Sequence, residues 1–201
     1  MMRRGWWRSP LRAVAVCAVL GCGLLAYAHL GARYGYIGTP LKVRLAPRLQ
    51  LTDDRGKPFD LSALRGRAAL VYFGYTHCPD ICPTTLAALA PVFQALGPDR
   101  GNAVIVFVTL DPERDTPALL HAYVSAFEPM PIGLTGPAAA IGAAAKDWGV
   151  SWRPAEGGAY IDHASVITLV DPQGRWRVRY GLSQVADPAA VARDIRHVMK
   201  S

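Results

Sequence analysis

Thiols are scarce in this chain. Four cysteines are spread over 201 residues, and they form two pairs of different meaning. Cys17 and Cys22 sit in an apolar run, where cysteine acts as a small hydrophobe. Cys78 and Cys82 are the thiols of the remaining chain, and one pair is no disulfide framework for a domain of this size. The pair is a staple, a redox couple or part of a metal site. Basic clusters with interleaved aromatics are lacking as well. The formal net charge is +7, but Arg3, Arg4, Arg8 and Arg12 precede the apolar run. From residue 31 onward 18 basic side chains face 15 acidic ones. That is an ordinary surface, and it removes nucleic acid from the expected partners. Repeats and low-complexity tracts are absent, and the length fits one domain plus an extension.

Charge disappears altogether from residues 13–30, which contain no Asp, Glu, Lys or Arg. As a helix this run spans roughly 27 Å, close to the thickness of a hydrocarbon core. Arginines crowd its N-terminal side, while Trp6, Trp7, Tyr34 and Tyr36 lie near its ends, a positive-inside pattern with interfacial aromatics. The expectation is a cytoplasmic basic N-terminus over 1–12, a single transmembrane anchor over 13–30, a linker over 31–48 and an exported domain over 49–201. A cleaved signal peptide is the rival reading, but Ala-Tyr-Ala-His at 26–29 is a mediocre cleavage site. Lipidation at Cys22 ranks third, because Leu20 is bulky for a lipoprotein signal.

Within the domain, residues 49–52 alternate like a strand and Asp53-Asp54-Arg55-Gly56-Lys57 is turn chemistry, which predicts a small hairpin. Residues 60–66 read as a short capped helix stopped by Gly66. Residues 68–75 are almost continuously apolar, the pattern of a strand buried on both faces. Pro83 suits a first helical turn, and Leu86, Leu89, Ala90, Phe93 and Leu96 follow at helical spacing before Gly97. A second central strand is expected over 103–110, a helix over about 118–127, a short strand at 132–134 and a helix from Pro137 to about Trp148. Residues 151–160 form an excursion, residues 164–170 and 176–180 a hairpin, and Asp187-Pro188 opens a closing helix. This element order is that of a thioredoxin-like α/β sandwich with an added N-terminal hairpin, preceded by one transmembrane helix.

Cys78 and Cys82 fall where the first central strand hands over to a helix, the place where open α/β sheets put their chemistry. Unpaired amides at the helix start are expected to depress the Cys82 pKa. Three residues separate the cysteines, one more than is usual in thiol oxidoreductases. The wider bite lets both sulfurs face one point, a soft donor pair suited to copper(I) with room for a third ligand. Among the five histidines, His29 lies in the apolar run, His121 and His197 lie in helical segments, and His77 is expected to point away from Cys78. His163, between the excursion and a strand, is the candidate that a thioredoxin-like fold brings near the cysteines. Asp111, Glu113, Arg114 and Asp115 are read as a loop that pairs internally and caps the next helix. Asp80 is a loop carboxylate between the thiols, and Trp148 and Trp152 are read as packing.

The segment Phe73-Gly74-Tyr75-Thr76-His77-Cys78-Pro79-Asp80-Ile81-Cys82-Pro83-Thr84-Thr85-Leu86 resembles the signature of the Sco/SenC proteins, copper chaperones of cytochrome c oxidase assembly. Leu110-Asp111-Pro112-Glu113-Arg114-Asp115-Thr116-Pro117 resembles a second block of that family. Asp162-His163, followed by Leu169-Val170-Asp171-Pro172-Gln173-Gly174, resembles a third. The resemblance implies copper held by Cys78, Cys82 and His163. It also implies delivery to the dinuclear copper site of oxidase subunit II, with the domain facing the periplasm or the intermembrane space; a bacterial inner membrane is the expected setting, ahead of a mitochondrial one. A periplasmic copper donor or a thiol–disulfide oxidoreductase is a further expected partner. Ala164 stands where many members carry Ser or Thr, and residues 151–158 are shorter and richer in glycine than the family pattern. The runner-up reading is a thiol–disulfide reductase cycling Cys78 and Cys82 to keep the oxidase's ligand cysteines reduced. A thiol peroxidase, which would give His163 no role, is the weakest of the three.

Overall fold

The computed structural model describes residues 34–154 and 160–201, together with Val14, Cys17 and Ala18. The expected anchor therefore lies largely outside the described residues, as does the middle of the excursion. The chain divides into two compact units, Met1–Gly35 and Tyr36–Ser201, and the second holds the chemistry.

That unit is built on an eight-stranded mixed sheet. Its strands are β1 (Thr39–Leu45), β2 (Gln50–Asp53), β3 (Pro58–Asp60), β4 (Ala68–Gly74), β5 (Ala103–Thr109), β6 (Ile132–Thr135), β9 (Ile167–Val170) and β10 (Arg175–Tyr180). Their spatial order is β1-β10-β9-β4-β5-β6-β2-β3. β4, β5 and β6 run parallel, in register from Ala68 opposite Ala103 to Gly74 opposite Thr109. β9 returns antiparallel along the other side of β4. Among the described residues, two further strands, β7 (Trp152–Pro154) and β8 (Ile161–His163), pair only with each other. The helices are α1 (Ile81–Ala87), α2 (Leu89–Leu96), α3 (Pro117–Val124), α4 (Ala138–Asp147), α5 (Leu182–Val185) and α6 (Pro188–Met199).

Every residue of β4 and β5 is buried, because both faces of the sheet are covered. Leu70, Tyr72, Ile105 and Phe107 point to one layer, where they meet α1, α2 and α6 through Leu86, Leu89, Val92, Leu96, Val191 and Ile195. Val71, Phe73, Val106 and Val108 point to the other, with Leu61, Ile141, Trp148 and Trp176. Each fully buried aliphatic or aromatic side chain contributes about 1.5–3 kcal/mol, so two such layers fix the position of β4. The helical run Ile81–Asn102 is the one among the described residues long and apolar enough to cross a membrane. Its apolar residues instead belong to the sheet-covering layer, which makes it a core helix.

Local chemistry sets the element ends as expected. Gly56, Gly66 and Gly97 have positive φ, the conformation glycine adopts without a Cβ clash. They close the β2–β3 hairpin, the 3-10 turn Leu61–Leu64 and the end of α2. Asp187 and Thr116 cap α6 and α3 through their side chains. The expected linker needs correcting. Thr39–Leu45 is the edge strand β1, paired antiparallel with β10 from Thr39–Arg179 to Leu45–Arg175. Its apolar residues Leu41, Val43 and Leu45 alternate with Lys42 and Arg44, a period of two, and Pro40 is tolerated because an edge strand has one free side.

Candidate metal centre

The site forms where β4 ends. Tyr75 and Thr76 lead out of the strand, and Cys82 lies one residue inside α1, whose first residue is Ile81. Pro83 falls in that first turn, where no amide hydrogen bond is lost. Both thiols are free and buried, Cys82 at 0% and Cys78 at 7% exposure. The Cys82 amide donates to Cys78 Sγ at 3.4 Å, so the loop folds the first sulfur back over the start of the helix. The two-stranded arm of β7 and β8 brings in the third group. His163 Nε2 lies 3.4 Å from Cys82 Sγ, although 81 residues separate them.

Burial controls the electrostatics here. It pushes the Cys82 thiol up to about 12, against the depression that a helix start alone predicts. The Tyr75 backbone and the Tyr72 hydroxyl favour the thiolate, while neighbouring Cys78 opposes it. The helix start loses this contest because Cys82 is enclosed, and desolvation of a charge outweighs a half-charge dipole. Burial likewise lowers the His163 pKa, only partly offset by the Ala164 backbone and the Asp162 carboxylate. His163 is therefore a neutral imidazole at neutral pH, the form that ligates metals. Its Nδ1 is buried without a well-formed hydrogen bond, and Nε2 is the nitrogen that faces Cys82.

A shell of aromatic and polar groups positions these three side chains. The His163 ring lies 6.2 Å from that of Tyr72 and 6.0 Å, edge-on, from that of Tyr75. Gly74 permits close approach: a Cβ there would lie 2.8 Å from the Phe107 ring and 3.0 Å from Cys82 Sγ. The cysteine loop is tied to the loop after β5 by Asp115, whose carboxylate is fully buried. That carboxylate accepts from Thr76 N at 3.0 Å, Thr76 Oγ1 at 2.5 Å and Thr109 Oγ1 at 2.5 Å.

The acidic loop pairs internally at Asp111, as expected, while Asp115 turns away to Thr76 and Thr109. Asp111 pairs with Arg114, and Thr116 caps α3. His77 turns toward Thr76 Oγ1 at 3.1 Å and Asp115 Oδ1 at 3.6 Å, which gives His77, Asp111 and Asp115 ligand atoms within 4.8 Å of one another. Those carboxylates already serve Arg114, Thr76 and Thr109, and the grouping is a structural brace. His121 binds Asp54 at 2.6 Å and His197 stacks edge-on with Tyr36. Trp148 is core, whereas Trp152 is 38% exposed. Tyr75 and Asp115 were missed as site-shaping residues. An aromatic at the strand end and an aspartate ringed by threonines were the available signals.

A mixed α/β sheet with two thiols at the end of its first parallel strand and a histidine folded over them defines a thioredoxin-like dithiol protein. Residues 38–200 match the family model SCO1/SenC, and the chain belongs to that family. It is 34% identical over 139 residues to a SCO2-like protein of Rickettsia felis, covering 67% of this chain and 68% of the relative. The structure of Bradyrhizobium japonicum ScoI with copper bound aligns at TM-score 0.67 and 36% identity, over 76% of this chain and 99% of that one. Yeast Sco1 with copper bound aligns at TM-score 0.69 and 33% identity, over 78% and 89%.

Proposed function

We propose that this protein is a membrane-anchored copper chaperone that carries its cargo on Cys78, Cys82 and His163. It would hand that cargo to cytochrome c oxidase, at the dinuclear site of subunit II, from the periplasmic side of a bacterial inner membrane. The observation that carries the reading is the 3.4 Å approach of His163 Nε2 to Cys82 Sγ, with Cys78 Sγ folded onto the same helix start. Two thiolates and one neutral imidazole form a soft, low-coordinate set that selects copper(I) over hard cations. The donor set fits the cargo. Loading displaces the thiol protons, since burial keeps Cys82 protonated in the metal-free state. Release proceeds by ligand exchange: an incoming thiolate replaces His163 first, because the imidazole is delivered by a separate two-stranded arm.

The test is an anaerobic copper(I) titration of the reduced protein against a competing chelator, repeated with Cys78→Ser, Cys82→Ser and His163→Ala. All three should bind more weakly than wild type. If His163→Ala binds as tightly as wild type, the three-ligand reading fails. A reductase role for the same pair keeps one structural argument, the closeness of the two free thiols within a single loop. Against Cys82 as the attacking group, burial disfavours its thiolate.

A further inference from the structure

His163 sits at the end of β8, and β8 pairs only with β7, outside the main sheet. A two-stranded hairpin is marginally stable by itself, so something must hold this arm against the cysteine segment. Along β8 the side chains alternate. Asp162 faces outward, its side chain 59% exposed, while Ile161 packs against the core and His163 meets Cys82. Ile161 and His163 thus share the inward face, one step apart. The Ile161 amide donates to Tyr75 Oη at 3.2 Å, and the Tyr75 ring stands edge-on to the His163 imidazole. Tyr75 itself is 2% exposed and directly follows β4, the most deeply buried strand of the fold.

We propose that Tyr75 is a positioning residue, a pin whose hydroxyl fixes the β7–β8 arm and so determines whether His163 stands over Cys82 or swings clear of it. The pin acts two residues from the imidazole, on backbone, so it sets the register and pitch of β8 as well as its distance. Its anchor is rigid because Tyr75 is continuous with β4, and its target is soft because, among the described residues, no strand beyond β7 pairs with β8. Removing the hydroxyl keeps the aromatic ring and its packing. The arm would then open more often without loss of the fold. This rests on the copper reading for its consequence, namely that pinning sets how long the cargo stays three-coordinate.

The experiment uses the full chain, reduced, with Tyr75→Phe, His163→Ala and the double variant. Amide hydrogen exchange without metal is the first readout. Exchange at residues 161–163 should rise about tenfold in Tyr75→Phe, as expected for a local opening, while the β4 and β5 amides stay unchanged. Copper(I) competition is the second. Tyr75→Phe should weaken binding about fivefold in the wild-type background and less in the His163→Ala protein, where the hydroxyl's contact with Cys78 is what is lost, the non-additivity expected of residues acting as one unit. Unchanged exchange at 161–163 overturns the proposal, and so does an equal loss of affinity in both backgrounds. If His163→Ala alone binds as wild type, the copper reading falls, while the exchange data still decide the pin.

Discussion

Replacing Asp115 by alanine should be among the most damaging single changes in this domain, although the residue touches neither thiol. Its carboxylate is fully buried and accepts three hydrogen bonds, from the Thr76 amide, the Thr76 hydroxyl and the Thr109 hydroxyl. A stranded buried donor costs about 1–3 kcal/mol. Thr76 is only partly buried, so water can rescue part of its share, and a total near 3 kcal/mol is expected. For a domain of this size that corresponds to a fall in Tm of about 6–12 °C. Thr109→Val removes one of the three donors and strands the Asp111 amide, which donates to Thr109 Oγ1 at 2.8 Å, for a loss of about 1–2 kcal/mol. Because both variants break the same network, the double variant should lose at least 1 kcal/mol less than the sum of the singles. Urea unfolding of the reduced, metal-free protein with constant m-value measures all three. A loss below about 1 kcal/mol for Asp115→Ala, or strict additivity with Thr109→Val, would refute the bridging role.

Gly74→Ala should lower stability by about 1–3 kcal/mol through overpacking and weaken copper(I) binding, because the new methyl meets Phe107 and Cys82 Sγ; unfolding and chelator competition report the two effects. The raised Cys82 pKa gives a pH dependence with a definite sign. Below about pH 9 the thiol is protonated both folded and unfolded, and its contribution is fully present. As pH climbs toward about 12 only the unfolded chain ionises, so stability falls, by up to about 1.4 kcal/mol per pH unit. The difference between wild type and Cys82→Ala across pH 8–10.5 isolates this slope, and parallel curves would contradict it. Copper(I) affinity should rise with pH between 6 and 8, about tenfold per unit for each thiol proton displaced, as read by competition at fixed free chelator. Deleting residues 1–48 should destabilise the domain rather than trim a linker, since it strips β1 from β10; an unchanged Tm would show the strand to be dispensable.

The central strands, both cysteine positions and the closing helix were legible because burial on two faces writes an unbroken apolar run and caps write Asp, Thr and Gly at fixed places. Residues 68–75 and 103–110 could hardly be anything else. The edge strand β1 was harder. Its alternation at Leu41, Val43 and Leu45 is present, but Val43 and Leu45 are 52% and 66% exposed, and Pro40 with the neighbouring arginines gives the stretch the composition of a linker. The Cys82 pKa was misjudged for a different reason. A helix start is visible in the sequence, whereas the enclosure that defeats it depends on Tyr72 and Tyr75 from the end of β4 and Tyr123 from α3 joining the same cluster. His163 was legible through the expected fold and the family-like block around it, because a lone histidine carries no ligand spacing of its own.

Both free edges of the sheet are poor templates for another strand. β1 carries Pro40, Lys42 and Arg44 and an irregular register against β10, and β3 is three residues long and begins with Pro58. Prolines, charges, bulges and brevity are the features by which edges refuse strand addition. A partner protein is thereby denied the sides of the molecule as a route of backbone pairing. A chaperone of the kind proposed would then be recognised through its side chains rather than through an added strand.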